Sequence, residues 1–164
     1  MVSRLRPIWP LLTLLASGAM LATAILYFQG MQGLQPCALC LKQREWHWGV
    51  VGVSVLALLV MRLRPAWTNW AIVIIGLVLL GSAAMAGYHV AVEHHWVVAQ
   101  CDVGGAVNAS DLSLDNLGED LHPPRCDEIA WSLFGISMAG YNAIVSLLLA
   151  LASFYVALAG KREQ

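Results

Sequence analysis

Cys37, Cys40, Cys101 and Cys126 are the residues of this 164-residue chain whose type and spacing carry chemistry. Cys37-Ala38-Leu39-Cys40 is a C-x-x-C motif. Two intervening residues let the sulfurs meet in a tight turn and exchange between dithiol and disulfide. Pro36 disfavours helical backbone at Gln35, just before the motif. A helix that begins at the motif puts Cys40 at its N-terminus, where unpaired N–H groups and the helix dipole stabilise a thiolate, the nucleophilic form. Arg44 follows four residues later, on the same helix face. Its fixed charge favours a thiolate at Cys40 and suits an anionic electron acceptor. The bland alternative for Arg44 is snorkelling to lipid headgroups.

Cys101 and Cys126 are separated by 24 residues. By themselves they read as a structural disulfide closing a loop, worth roughly 3–4 kcal/mol in the entropic account. A C-x-x-C in the same compartment changes that reading, because two neighbouring pairs can exchange electrons. A C-x-x-C also supplies half of a Cys₄ zinc site, but Cys101…Cys126 is not the closely spaced second pair such a site uses. His89, His94 and His95 cluster near the outer end of the third predicted helix, and His94 falls at the membrane depth expected for Arg44. A neutral imidazole there suits hydrogen bonding to a carbonyl, or proton transfer. His47 is a weaker candidate of the same kind.

The elements that must hold these residues are membrane helices. Hydrophobic residues make up 59% of the chain and charged ones 12%, against about 25% charged in soluble domains. The net charge of −1 gives no electrostatic footprint for nucleic acid. Uncharged runs of 35, 16, 28 and 32 residues lie between Arg6 and Lys42, Glu45 and Arg62, Arg64 and Glu93, and Glu128 and Lys161. Since a span needs roughly 20 apolar residues, they predict helices near 8–28, 40–61, 66–87 and 136–159. The first run is too long for the apolar core of a cleaved signal peptide. Arg4, Arg6, Arg62, Arg64, Lys161 and Arg162 fall on one side of this topology, and every acidic residue except Glu163 on the other. The positive-inside rule makes the basic side cytoplasmic. All four cysteines then face outward, in loops at about 29–39 and 88–135, where a bacterium is oxidising. Lys42 and Arg44 stand on that outer side, where the rule expects few basic residues, and this favours a functional Arg44. The tryptophans fall at the predicted helix ends, as in an aromatic belt. Gly76, Gly81, Gly87 and Gly140 are suited to close helix packing. The stretch Asp111 to Leu121 has the loose alternation of a short helix lying on the membrane.

Four spans, Pro36-Cys37-Ala38-Leu39-Cys40 at the start of the second, and Arg44 four residues on resemble the DsbB family of disulfide-bond formation proteins. Cys101 and Cys126 match that family's second pair. The stretch from Trp131 to Asn142 looks like its approach to helix 4, and Glu93-His94 like a pair just outside helix 3. The resemblance covers nearly the whole chain. It implies an all-α integral membrane protein: a single four-helix transmembrane bundle over 1–164, in the inner membrane, with both termini cytoplasmic and two periplasmic cysteine-bearing loops. It implies disulfides Cys37–Cys40 and Cys101–Cys126, and a quinone-dependent thiol oxidase that reoxidises a periplasmic DsbA-like partner. Cys101 forms the mixed disulfide, Cys126 leaves and then attacks Cys37, and Cys40 beside Arg44 passes electrons to ubiquinone or menaquinone. Arg44 and His94 are the expected quinone-binding residues. Only six residues separate His94 from Cys101, a short spacing for this family that bears on the part His94 plays.

Three other readings compete. A relative of vitamin K epoxide reductase places its quinone-facing C-x-x-C at the last core helix, whereas here it precedes helix 2. A small four-helix transporter is expected to carry an ionisable residue deep in a span, and the run centres here are uncharged. A structural membrane protein with two inert disulfides is separated by activity alone.

Overall fold

The computed structural model describes residues 5–98 and 125–162. Cys101 and the Asp111–Leu121 stretch lie outside them. Among the described residues, four helices are long and apolar enough to cross a membrane, as the uncharged runs predict. They are α1 (Trp9–Ala22), which continues as a π-helix over Thr23–Met31, α2 (Ala38–Leu63), α3 (Thr68–Glu93) and α4 (Met138–Arg162).

Local chemistry sets the ends. Pro10 stands in the first turn of α1, where its missing N–H costs nothing. α2 stops at Arg64 because Pro65 cannot continue it, and a 3₁₀ turn, Pro65–Trp67, leads directly into α3. α3 runs to Glu93, six residues beyond the expected end near 87. Nothing in the sequence from 88 to 93 breaks a helix, and the chain leaves it only where His95 adopts a left-handed φ of 57°. Before α4, a two-stranded hairpin pairs β1 (Ser132–Leu133) antiparallel with β2 (Ile136–Ser137). Its turn residues Phe134 and Gly135 both have positive φ, 51° and 78°, as a two-residue hairpin turn requires.

α3 is the central helix. It packs along α4 and against α2, and α1 packs on α2. Val50, Ile75, Leu79 and Ala150 form one buried cluster, and Trp9, Ile72, Val156 and Ala157 a second towards the opposite end from the cysteines. Lipid supplies no hydrophobic drive between helices, so small residues and hydroxyl pairs do the joining. Thr13 meets Ser54 at 3.0 Å, Ser82 meets Ser146 at 3.2 Å, and the Trp9 indole N–H donates to Ser153 at 2.9 Å. Gly76 faces Phe154 and Ser153 of α4 so closely that an added Cβ would stand 3.0–3.1 Å from them. Gly81 is covered by the Trp46 ring in the same way, whereas Gly87 meets nothing. Trp48, Trp67, Trp70 and Trp96 are exposed, as belt residues should be, but Trp9 turns inward.

Candidate functional site

The site is built where α2 begins. Cys37 is the N-cap of α2, in extended backbone, and its sulfur accepts the Cys40 backbone N–H at 3.3 Å. This corrects the expectation that Cys40 occupies the helix terminus: Cys40 is the third residue of the helix, and the capping sulfur is that of Cys37. The expected Cys37–Cys40 disulfide is open here. Both are thiols, with their sulfurs 2.8 Å apart. The Cys40 thiol donating to it holds the Cys37 thiol well below the ordinary thiol range. Burial opposes that shift, and His89 and the Cys40 N–H reinforce it.

Cys126 is disulfide-bonded and buried, and shares one cluster with Cys37, Leu39 and Val92. The second loop's cysteine is therefore packed beside the first pair. Cys101 lies outside the described residues.

On the other side of Cys40 is a cavity of about 450 Å³, lined by the π-helical end of α1, the start of α2, the end of α3, the hairpin and the start of α4. Most of its wall area is apolar, and its polar groups include Cys40, Arg44, Gln43, His89 and Asn142. Arg44 points inward: its guanidinium donates to the Gln29 side chain at 2.8 Å and to the Ala24 carbonyl at 3.2 Å. Both acceptors belong to the π-helix, a widened form often found at functional sites. The snorkelling alternative for Arg44 does not match this geometry. Phe28 and Trp131, both lining the cavity, meet in an edge-to-face contact, and Tyr141 ties the hairpin to α4 through the Leu133 carbonyl.

His94 is not brought to this cavity. It is the C-cap of α3, exposed and stacked on Trp96. The longer α3 places His89 at the site instead, with Nε2 3.7 Å from the Cys37 sulfur and 4.0 Å from a Glu93 carboxylate oxygen. Glu93 in turn accepts from the Ser137 hydroxyl. His89 Nδ1 meets Gln43 at 2.6 Å, Gln43 meets Asn142 at 2.6 Å, and Asn142 meets His47 at 2.8 Å. Sequence reasoning did not single out Gln43, and it named Glu93 and Asn142 only within stretches that resemble the family, without a role at the site. Their signal is helical spacing: Gln43 with His47, His89 with Glu93, and Asn142 with Ser146 each stand four apart.

The family model of Disulfide bond formation protein DsbB matches residues 6–156. The chain belongs to the DsbB family. Similar proteins named Disulfide bond formation protein B occur in Marinobacter nauticus (30% identical, covering 90% of this chain and 89% of that one) and Methylococcus capsulatus (32% identical, 84% and 85%). A Disulfide bond formation protein B 2 of Pseudomonas syringae is 29% identical over 79% of this chain and 75% of its own. No solved structure matches. DsbB membership and the four apolar helices make this a multi-pass membrane protein concerned with disulfide formation.

Proposed function

We propose that the chain is a bacterial inner-membrane thiol oxidase that reoxidises a periplasmic DsbA-like dithiol oxidase and hands the electrons, through Cys101–Cys126 and then Cys37–Cys40, to ubiquinone or menaquinone. The observation that carries the reading is the placement of the Cys37–Cys40 pair between two neighbours. Disulfide-bonded Cys126 packs in its cluster on one side, and a cavity holding Arg44 opens on the other.

In this reading a partner thiolate attacks Cys101, forming a mixed disulfide and releasing Cys126 as a thiolate. Cys126 attacks Cys37 of the Cys37–Cys40 disulfide and displaces Cys40. The partner's second thiol resolves the mixed disulfide and frees Cys101. Cys101 then attacks Cys126, restores the second-loop disulfide and releases Cys37. The partner has lost two electrons and two protons, and Cys37 and Cys40 hold them as a dithiol. Cys37 is a good leaving group in the last exchange, because a lower thiol pKa leaves faster.

A quinone is a two-electron, two-proton acceptor with a flat, largely apolar body. The residues present fit one: the cavity is of ordinary ligand size and mostly apolar, with one cation to orient an oxygen. Arg44 has five N–H donors, and Gln29 and the Ala24 carbonyl hold its plane while the side chain lines the cavity. The sulfur facing that cavity is Cys40, so closure of the Cys37–Cys40 disulfide is the step that delivers the electrons.

The test supplies purified protein with a reduced DsbA-like partner and follows quinone absorbance. Turnover that is abolished in Cys40→Ser and in Cys101→Ser supports the relay. Turnover retained in either variant, or absent from folded wild-type protein with ubiquinone and menaquinone alike, removes it.

A further inference from the structure

The polar chain behind Cys37 has one internally consistent direction. His89 Nε2 faces two acceptors, the Cys37 sulfur and the Glu93 carboxylate. Its proton therefore belongs on Nε2, which leaves Nδ1 as a lone pair. The group against Nδ1 must then be a donor, and it is the Gln43 side-chain NH₂ at 2.6 Å. With its nitrogen so engaged, Gln43 presents Oε1 to the Asn142 NH₂, again at 2.6 Å. Asn142 is left presenting Oδ1, which accepts from Ser146 at 3.0 Å and from His47 Nε2–H at 2.8 Å. His47 Nδ1 then takes the Ser17 hydroxyl at 3.4 Å. Each donor meets an acceptor from α1 to α4. Turning over either amide alone would set donor against donor in a buried site, which costs about 1–3 kcal/mol per unsatisfied group.

We propose that Gln43 and Asn142 are positioning residues that hold His89 in its Nε2–H tautomer, so that it donates to the Cys37 sulfur whenever that sulfur is the anion. Neither residue is hydrogen-bonded to the reacting sulfurs; both also line the cavity, and towards Cys37 they act through His89. The Cys37 thiolate arises each time Cys101 regenerates the second-loop disulfide, and a fixed donor at Nε2 is in place before that charge appears. The same tautomer bears on a second candidate. The ligand atoms of Cys37, Cys40 and His89 all lie within 4.8 Å of one another, close enough to hold a metal ion. A metal would need the Nε2 lone pair, which here carries the proton. The network thus favours thiol chemistry over metal binding.

The inference rests on the reading of Cys37 as a redox thiol, but its test needs no turnover. ¹⁵N spectra of histidine-labelled reduced protein in detergent, with His89 assigned by its loss in His89→Asn, report the tautomer directly. Wild-type protein is expected to show His89 Nε2 protonated and Nδ1 unprotonated. Gln43→Glu keeps the shape and the Asn142 contact but has no N–H to give, so Nδ1 must become the protonated nitrogen. Asn142→Leu frees the Gln43 amide to turn, and the single tautomer is expected to become a mixture. A protonated Nδ1 in wild-type protein, or an Nδ1 that stays unprotonated in Gln43→Glu, overturns the proposal. The wild-type spectrum decides even where a variant fails to fold. Failure here leaves quinone reduction untouched, and failure of quinone reduction leaves this spectrum unchanged.

Discussion

Cys37 and Cys40 are chemically unequal although they share one motif. Cys37 caps the helix, shares a hydrogen bond with the Cys40 thiol, accepts the Cys40 N–H and lies against His89, while Cys40 faces the cavity with Arg44. A depressed thiol predicts reactivity. In the reduced protein, alkylation of Cys37 should persist well below the ordinary thiol pKa of about 8.5. Alkylation that falls off with an unshifted profile would show that the hydrogen bonds do not act. The same shift has a stability consequence. A group whose folded pKa is depressed contributes stability that is fully present above its unfolded value and is lost as pH falls through the folded one. The dithiol form should therefore lose stability as pH drops from about 8.5 towards the depressed Cys37 value, a loss that Cys37→Ser should not show in thermal melts. At Arg44, the hydrogen bonds of a charged donor are worth about 1.5–3 kcal/mol. Arg44→Ala should raise the apparent KM for quinone by about ten- to a hundredfold, at about 1.4 kcal/mol per decade, with the melting temperature little changed. An unchanged KM would return Arg44 to an anchoring part.

The helices position these residues through their ends. α2 begins at the cysteine motif because Cys37 caps it, α3 reaches Glu93 because nothing stops it earlier, and α4 starts from a hairpin locked by Tyr141. Three helix ends thereby converge on one polar cluster. What holds them together lies elsewhere: the α3–α4 contact depends on Gly76, where an added side chain would meet Phe154 and Ser153. Gly76→Val should lower stability by about 1–3 kcal/mol, the usual cost of overpacking, read as a lower melting temperature in detergent. Quinone reduction by the protein that remains folded should keep its KM, since the substitution lies far along the bundle from Arg44. A Gly76→Val protein that melts like wild type would mean that α4 is free to step away into lipid.

For the whole molecule, the bundle separates a cysteine end from a basic end. Among the described residues, Glu45, Glu93, Asp127 and Glu128 lie towards the former, with Arg62 and Arg64 at the latter. The positive-inside rule predicts that the basic end is cytoplasmic, and both termini with it. A fluorescent protein fused after Gln164 should be bright and an alkaline phosphatase fused there inactive, while phosphatase inserted between residues 104 and 105 should be active. The reverse pattern would put the cysteines in a reducing compartment and remove the basis for the relay. The cavity lies among α1, α2, the end of α3, α4 and the hairpin, beside the cysteines.

The sequence by itself determined the four spans and their boundaries to within six residues. Long uncharged runs have only one stable disposition near lipid. It also singled out Arg44, because a cation on the outer side of a span stands against the charge pattern. Only the tertiary structure decided which sulfur caps α2, that His89 rather than His94 reaches the site, and that Gln43 and Asn142 stand behind it. The first turned on where the backbone leaves its extended form, a matter of one turn. The second turned on six more residues of helix in α3, which rotate and raise every side chain beyond 87. The third joins residues 99 positions apart, and a hydrogen bond between an amide on α2 and an amide on α4 leaves no trace in either local sequence.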